Sequence, residues 1–213
     1  CSVYYDRLDV PPTEQRFNPN HLAATDLSAY IKLRSFCKDS IHVEVRRLAF
    51  KEKSGVELKR LAFGLTAGLK GVELRHFALS LPHTEFQIPM ISVRYQMKPR
   101  ANLLQNFSIE PSSLYYQGAI SPSSVTLCDV SAFLPAVRLF DEYLNLSAQF
   151  DGNYDTFHMR KLNIGSEKGD LDIDASAVVS GWRRNKMLTW EAHLEKMNLS
   201  AQTVVFLIDN LKG

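Results

Sequence analysis

No stretch of this 213-residue chain comes near the roughly 20 consecutive apolar residues that a membrane-spanning helix needs; the longest candidate, residues 204–208, is a quarter of that. No signal-peptide pattern is found within it. Cysteine is scarce and odd in number: Cys1, Cys37 and Cys128 match neither a zinc spacing nor a disulfide framework. Charge of one sign is not in excess. Lys and Arg total 25 against 23 Asp and Glu, and a formal charge of +2 is too near neutral to indicate a nucleic-acid partner. The 45% hydrophobic and 23% charged content, with ten Gly and nine Pro, argues against disorder.

Catalytic signatures are missing too. A catalytic site needs a clustered nucleophile, base and oxyanion donors, yet no GxSxG elbow occurs, and the six histidines form no HExxH pair. Not an enzyme, and no cofactor or metal, is therefore the expectation. Residues 151–155 (DGNYD) have the spacing of the first half of a calcium loop. Thr156 stands where its glycine belongs and Leu162 where its closing glutamate belongs, so the segment reads as a turn between strands. Asn106, Asn145 and Asn198 match a glycosylation acceptor triplet, which carries meaning only in a eukaryotic secretory setting.

What is present is a repeat. VEVRRLAF (43–50), VELKRLAF (56–63) and VELRHFAL (72–79) are copies of one eight-residue pattern; FHMRKLNI (157–164) and AHLEKMNL (192–199) repeat it further on. Apolar residues hold positions one, three, six and eight, and a charged or basic pair holds four and five. Positions one and three share a strand face, and so do six and eight, but the two pairs are out of phase. A β-bulge at the central pair, or a short break between two strands there, returns all four to the same face. Start-to-start spacings of 13 and 16 residues suit sequential antiparallel hairpins and are too short for helical crossovers. Upstream, Leu27, Ala29, Ile31 and Leu33 alternate with polar residues as a half-buried strand does.

The expected fold is mainly β: an extended, curved antiparallel sheet of repeated hairpins shaped as a groove, with residues 1–20 an irregular lead-in and 21–213 the repetitive body. Two short amphipathic helices are expected at residues 131–144 and 200–211. The first places Phe133, Val137, Phe140 and Leu144 at helical spacing after Ser131; the second places Val204, Leu207, Ile208 and Leu211 likewise after Ser200. The histidines in the repeats (His42, His76, His158, His193) fall on the polar side or at the bulge, as exposed filler. The pairs Arg46-Arg47, Lys59-Arg60 and Arg75-His76 would form a positive stripe, but Glu44, Glu57 and Glu73 neutralise much of it. With too few helices to cover it, the apolar side must fold over on itself, pack on a second sheet, or stay open as a trough for acyl chains. A chain that starts at Cys1 without Met and stops just after a helix-like stretch reads as a piece of a larger protein.

Ordered strings along the chain carry a resemblance: NPNHL (18–22), TDL (25–27), LAFKEKSG (48–55) with LKRL (58–61), LPHT (81–84), FLP (133–135), FDG (150–152) and LNI (162–164). In that order they resemble part of the TamB-like proteins of Gram-negative bacteria, in the AsmA-like group. The resemblance implies the periplasmic part of an inner-membrane-anchored protein whose β-rich body forms a hydrophobic groove. It also implies phospholipid transport between inner and outer membranes or outer-membrane protein assembly, with a barrel partner of the Omp85 class and no catalytic residues. The groove lining would be Val43, Val45, Leu48, Phe50, Val56, Leu58, Leu61, Phe63, Val72, Leu74, Phe77 and Leu79, with phospholipid acyl chains as the ligand. A scaffold that binds outer-membrane strands by edge pairing, or a sealed β-solenoid, are the alternatives.

Overall fold

The computed structural model describes residues 1–7, 9, 20–53, 55–130, 143–182, 187–201 and 203–205. They form one antiparallel sheet whose strands follow chain order without a crossover. The strands are β1 (Val3–Asp6), β2 (His21–Cys37), β3 (Ser40–Glu52), β4 (Glu57–Gly68), β5 (Gly71–Ser80), β6 (Glu85–Met97), β7 (Ile109–Thr126), β8 (Tyr143–Asn153), β9 (Thr156–Ser166), β10 (Leu171–Ser180) and β11 (Thr189–Leu199). Each pairs only with its sequence neighbours, so the sheet neither closes into a barrel nor hydrogen-bonds back on itself. The chain exposes 14146 Å², against about 10,000 Å² for a compact monomer of its 24.2 kDa.

The phase flip in the repeat is resolved by bulges. Pairing of β3 with β4 slips between Val45 and Leu48, across Arg46-Arg47, and again between Leu48 and Phe50, where β4 spends Lys59-Arg60. The third copy slips opposite Ala62 and Gly64, beside Arg75-His76. The fourth slips at Arg160-Lys161 against both of its neighbours, and the fifth at Glu195. His76 takes a positive φ of 52° there, and Asp26, at an irregularity in β2, takes 54°. A sixth copy escapes a search guided by charge. FQIPMISV (86–93) in β6 holds Phe86, Ile88, Ile91 and Val93 at the four apolar positions and flips across Pro89-Met90 instead of a basic pair. Its register with β5 stays constant because the two flips lie opposite each other.

Two expectations are corrected. Residues 1–20 are not irregular throughout, because Val3–Asp6 pairs with β2 as a strand. Two amphipathic helices are not found among the described residues. Tyr143 and Leu144 belong to β8, the one helix with defined bounds is the four-residue α1 (Leu127–Val130), and residues 131–142 lie outside the described residues. At the other site Ala201 and residues 203–205 are helical, with Ser200 as the N-cap: its Oγ accepts the Thr203 amide at 3.1 Å. The remainder, 206–213, is again outside the described residues. Of the alternatives for the apolar side, packing on a second sheet is not seen among the described residues.

Turns close the hairpins by local chemistry. Asn153 Oδ1 accepts the amides of Asp155 at 2.9 Å and Thr156 at 3.0 Å, so DGNYD is a side-chain-capped turn between β8 and β9. The longer β6–β7 loop reaches back across the sheet end, where the Leu103 amide donates to the Lys38 carbonyl of the β2–β3 turn at 3.1 Å.

Candidate functional site

Directly paired residues in an antiparallel sheet share a face, so the registers decide which side chains line up. Val43, Val45, Leu48 and Phe50 of β3 pair with Leu65, Phe63, Leu61 and Leu58 of β4. Leu61 and Leu65 pair with Leu79 and Leu74 of β5, and Val72, Leu74, Phe77 and Leu79 pair with Val93, Ile91, Ile88 and Phe86 of β6. Val56, just ahead of β4, accepts the Glu52 amide across the hairpin, and alternation two residues before Leu58 puts it on the same side. All twelve residues named from the sequence thus stand on one face. None is exposed, and only Val45 and Leu58 are buried.

The face continues where the sequence reading named no lining residues. Ile91 and Val93 pair with Gly118 and Tyr116 of β7; these pair with Phe150 and Gly152 of β8. Phe157, Met159, Leu162 and Ile164 of β9 follow, then Val179, Ala177, Ala175 and Ile173 of β10, then Trp190, Ala192, Leu194 and Met197 of β11. Strand alternation could have located these; only the bulge positions make their common side visible. Rings bridge neighbouring strands: Phe63 stacks on Phe77 with centroids 6.4 Å apart, and Phe77 meets Phe86 edge-on at 6.4 Å. Gly118 and Gly152 leave room on this face for Phe150 and Tyr116, and Tyr116 reaches past Gly152 to stack on Phe157 at 6.5 Å.

No described side chain is completely buried. Interior strands shade one another to a half-buried state, while the flanks are open: Trp190 is 74% exposed, Leu194 51%, Leu33 57% and Phe36 63%. A sealed core would bury these residues. The face is instead a broad apolar surface across eleven strands, about 50 Å at 4.8 Å per strand.

The other face is charged and locally neutralised. Glu44 accepts from Arg46 at 2.9 Å and Arg34 at 3.1 Å, bonds that hold its carboxyl below the ordinary range, Arg46 contributing most. Arg75 pairs with Glu73, and Arg46 also sits 5.2 Å over the Tyr30 ring. A depression of about 990 Å³ lies here between Arg34, Arg46, Arg60 and Arg75.

His158 is more than exposed filler. It is half-buried, 3.0 Å from Asp151, which also accepts a two-pronged guanidinium from Arg160. The Arg160 hydrogen bonds, then that of His158, lower the Asp151 carboxyl from 3.8 to about 2. A carboxyl depressed on folding contributes stability above its unfolded value and loses it as pH falls through the folded one. The Asp151→Asn variant is therefore expected to show a shallower loss of stability between about pH 4 and pH 2 than the parent, measured by urea unfolding at each pH. Parallel acid limbs would show that the cluster does not couple to folding.

Comparison of the chain with protein-family models, with curated proteins and with solved structures finds no significant match.

Proposed function

We propose that the apolar face is a track for phospholipid acyl chains, and that the chain is a periplasmic section of a lipid-conducting groove of the TamB-like kind. The observation that carries this reading is the continuity of the apolar face: bulges keep every repeat in phase, and no layer of described residues covers it. The ordered strings shared with TamB-like proteins support the same reading. Each bulge adds a residue and bends its strand, which suits a sheet that curls into a trough. Burying a methylene contributes about 0.8 kcal/mol, so a chain spread over many strands is held by summed area and no single residue is essential.

Mass spectrometry of an organic extract of the purified protein is expected to find phospholipid in stoichiometric amounts. Leu61→Arg, which puts a cation mid-face where acyl chains must slide, is expected to reduce it several-fold. Lipid-free protein, or the same lipid load in the variant, would defeat the reading.

A second reading, a scaffold that pairs with outer-membrane strands, is favoured by the open edges. β11 has no outer neighbour among the described residues, and β1 covers only residues 21–24 of β2. It predicts binding of barrel-strand peptides to lipid-free protein.

A further inference from the structure

We propose that His83, Cys128 and Asp129 form a binding site for a divalent cation of the zinc class. His83 lies in the turn between β5 and β6, and the other two lie in α1 after β7, 45 residues along the chain. One ligand atom from each of the three lies within 4.8 Å of the others, the one such cluster of His, Cys and acidic donors among the described residues.

The backbone around the cluster is fixed. Thr84 Oγ1 accepts the Thr126 amide at 3.1 Å, and Thr126 Oγ1 donates to the His83 carbonyl at 2.9 Å. Both threonines are 3% exposed. The Asp129 carboxylate, 6% exposed, accepts the His83 amide at 2.8 Å through one oxygen. Its other oxygen faces His83 Nδ1 at 3.2 Å. Zinc bonds of 2.0–2.1 Å to nitrogen and oxygen and 2.3 Å to sulfur give tetrahedral edges of about 3.3 Å for N to O and about 3.6 Å to S. The His83–Asp129 edge already has that length, and the exposed Cys128 side chain, whose ligand atom lies within 4.8 Å of the other two, would move in to close the third corner. A water would complete the fourth corner. Binding releases the thiol proton, so affinity rises with pH. The ion would pin the β5–β6 turn to the end of β7.

Cobalt(II) titration of the whole chain tests this. The expected result is one ion per chain, with a near-ultraviolet thiolate-to-cobalt band and the visible bands of tetrahedral cobalt. Cys128→Ser should abolish the thiolate band, and His83→Gln should weaken binding at least about tenfold. Cys1→Ser and Cys37→Ser should change nothing. Far-ultraviolet circular dichroism establishes that each variant is folded, and the exposure of Cys128 and His83 makes both substitutions compatible with folding. Absence of a thiolate band overturns the proposal. So does a band that survives Cys128→Ser and disappears with Cys1→Ser or Cys37→Ser.

Discussion

Tyr95→Ala is expected to destabilise the protein by about 3–5 kcal/mol, the cost of removing a large buried aromatic side chain. At roughly 2–4 °C per kcal/mol for a chain of this size, the melting temperature should fall by about 6–20 °C. Tyr95 is 5% exposed, the most buried of the large side chains described, and it ties three segments together. Its hydroxyl donates to the Gly68 carbonyl at 2.9 Å, its amide to Lys70 at 3.0 Å, and Phe107 of the β6–β7 loop packs edge-on against its ring at 5.9 Å. Burial also pushes the phenol up. Tyr95→Phe isolates the hydroxyl and should cost only about 0.5–1.5 kcal/mol. Thermal melts of the two variants side by side decide the matter. Near-equal small shifts would show that the loop does not anchor the end of the sheet.

Gly152→Ala is expected to cost about 1–3 kcal/mol, although alanine is ordinarily the better strand residue. A methyl group at this position would lie 2.4 Å from the Thr156 carbonyl oxygen and 2.5 Å from the Tyr116 hydroxyl. The first is backbone at the start of β9 and has little room to retreat; the second belongs to the ring stacked on Phe157. Gly118→Ala is the milder companion, because its contacts are the far end of the Phe150 ring at 2.6 Å and the Ile91 side chain at 2.9 Å. Denaturant melts should rank Gly152→Ala below Gly118→Ala. The reverse order would show that the apolar face yields easily around Tyr116.

Much of this architecture was legible because the repeat contains its own inconsistency. Apolar residues at one, three, six and eight cannot share a face in a regular strand, so Arg46-Arg47, Lys59-Arg60, Arg75-His76 and Arg160-Lys161 had to mark a bulge or a break, and the register shifts there. The common face of the twelve apolar positions follows from that one deduction. The copy in β6 was hidden because Pro89-Met90 performs the flip without charge. Proline lacks the amide a ladder would use, which makes it an equally good interruption and a less visible one.

The helices were misjudged at residues 143 and 144 for a related reason. Leu144 fits a helical stripe from Phe133 onward, but it fits equally the alternation Leu144, Leu146, Ala148, Phe150 that pairs with β9. Periodicity over so short an overlap does not separate the two. Contacts between distant segments left no trace in spacing. Neither the grip of Asp129 on His83 nor the cluster of Arg160 and His158 around Asp151 can be read without the strand registers.

The central claim is that the apolar face, and not the charged one, carries lipid. Photocrosslinking amino acids placed at Leu61 and Phe77 on the apolar face, and at Arg60 and Glu73 on the charged face, test it in cells. The account predicts lipid adducts from Leu61 and Phe77 and none from Arg60 and Glu73. Adducts from the charged face alone, or from neither, would contradict it.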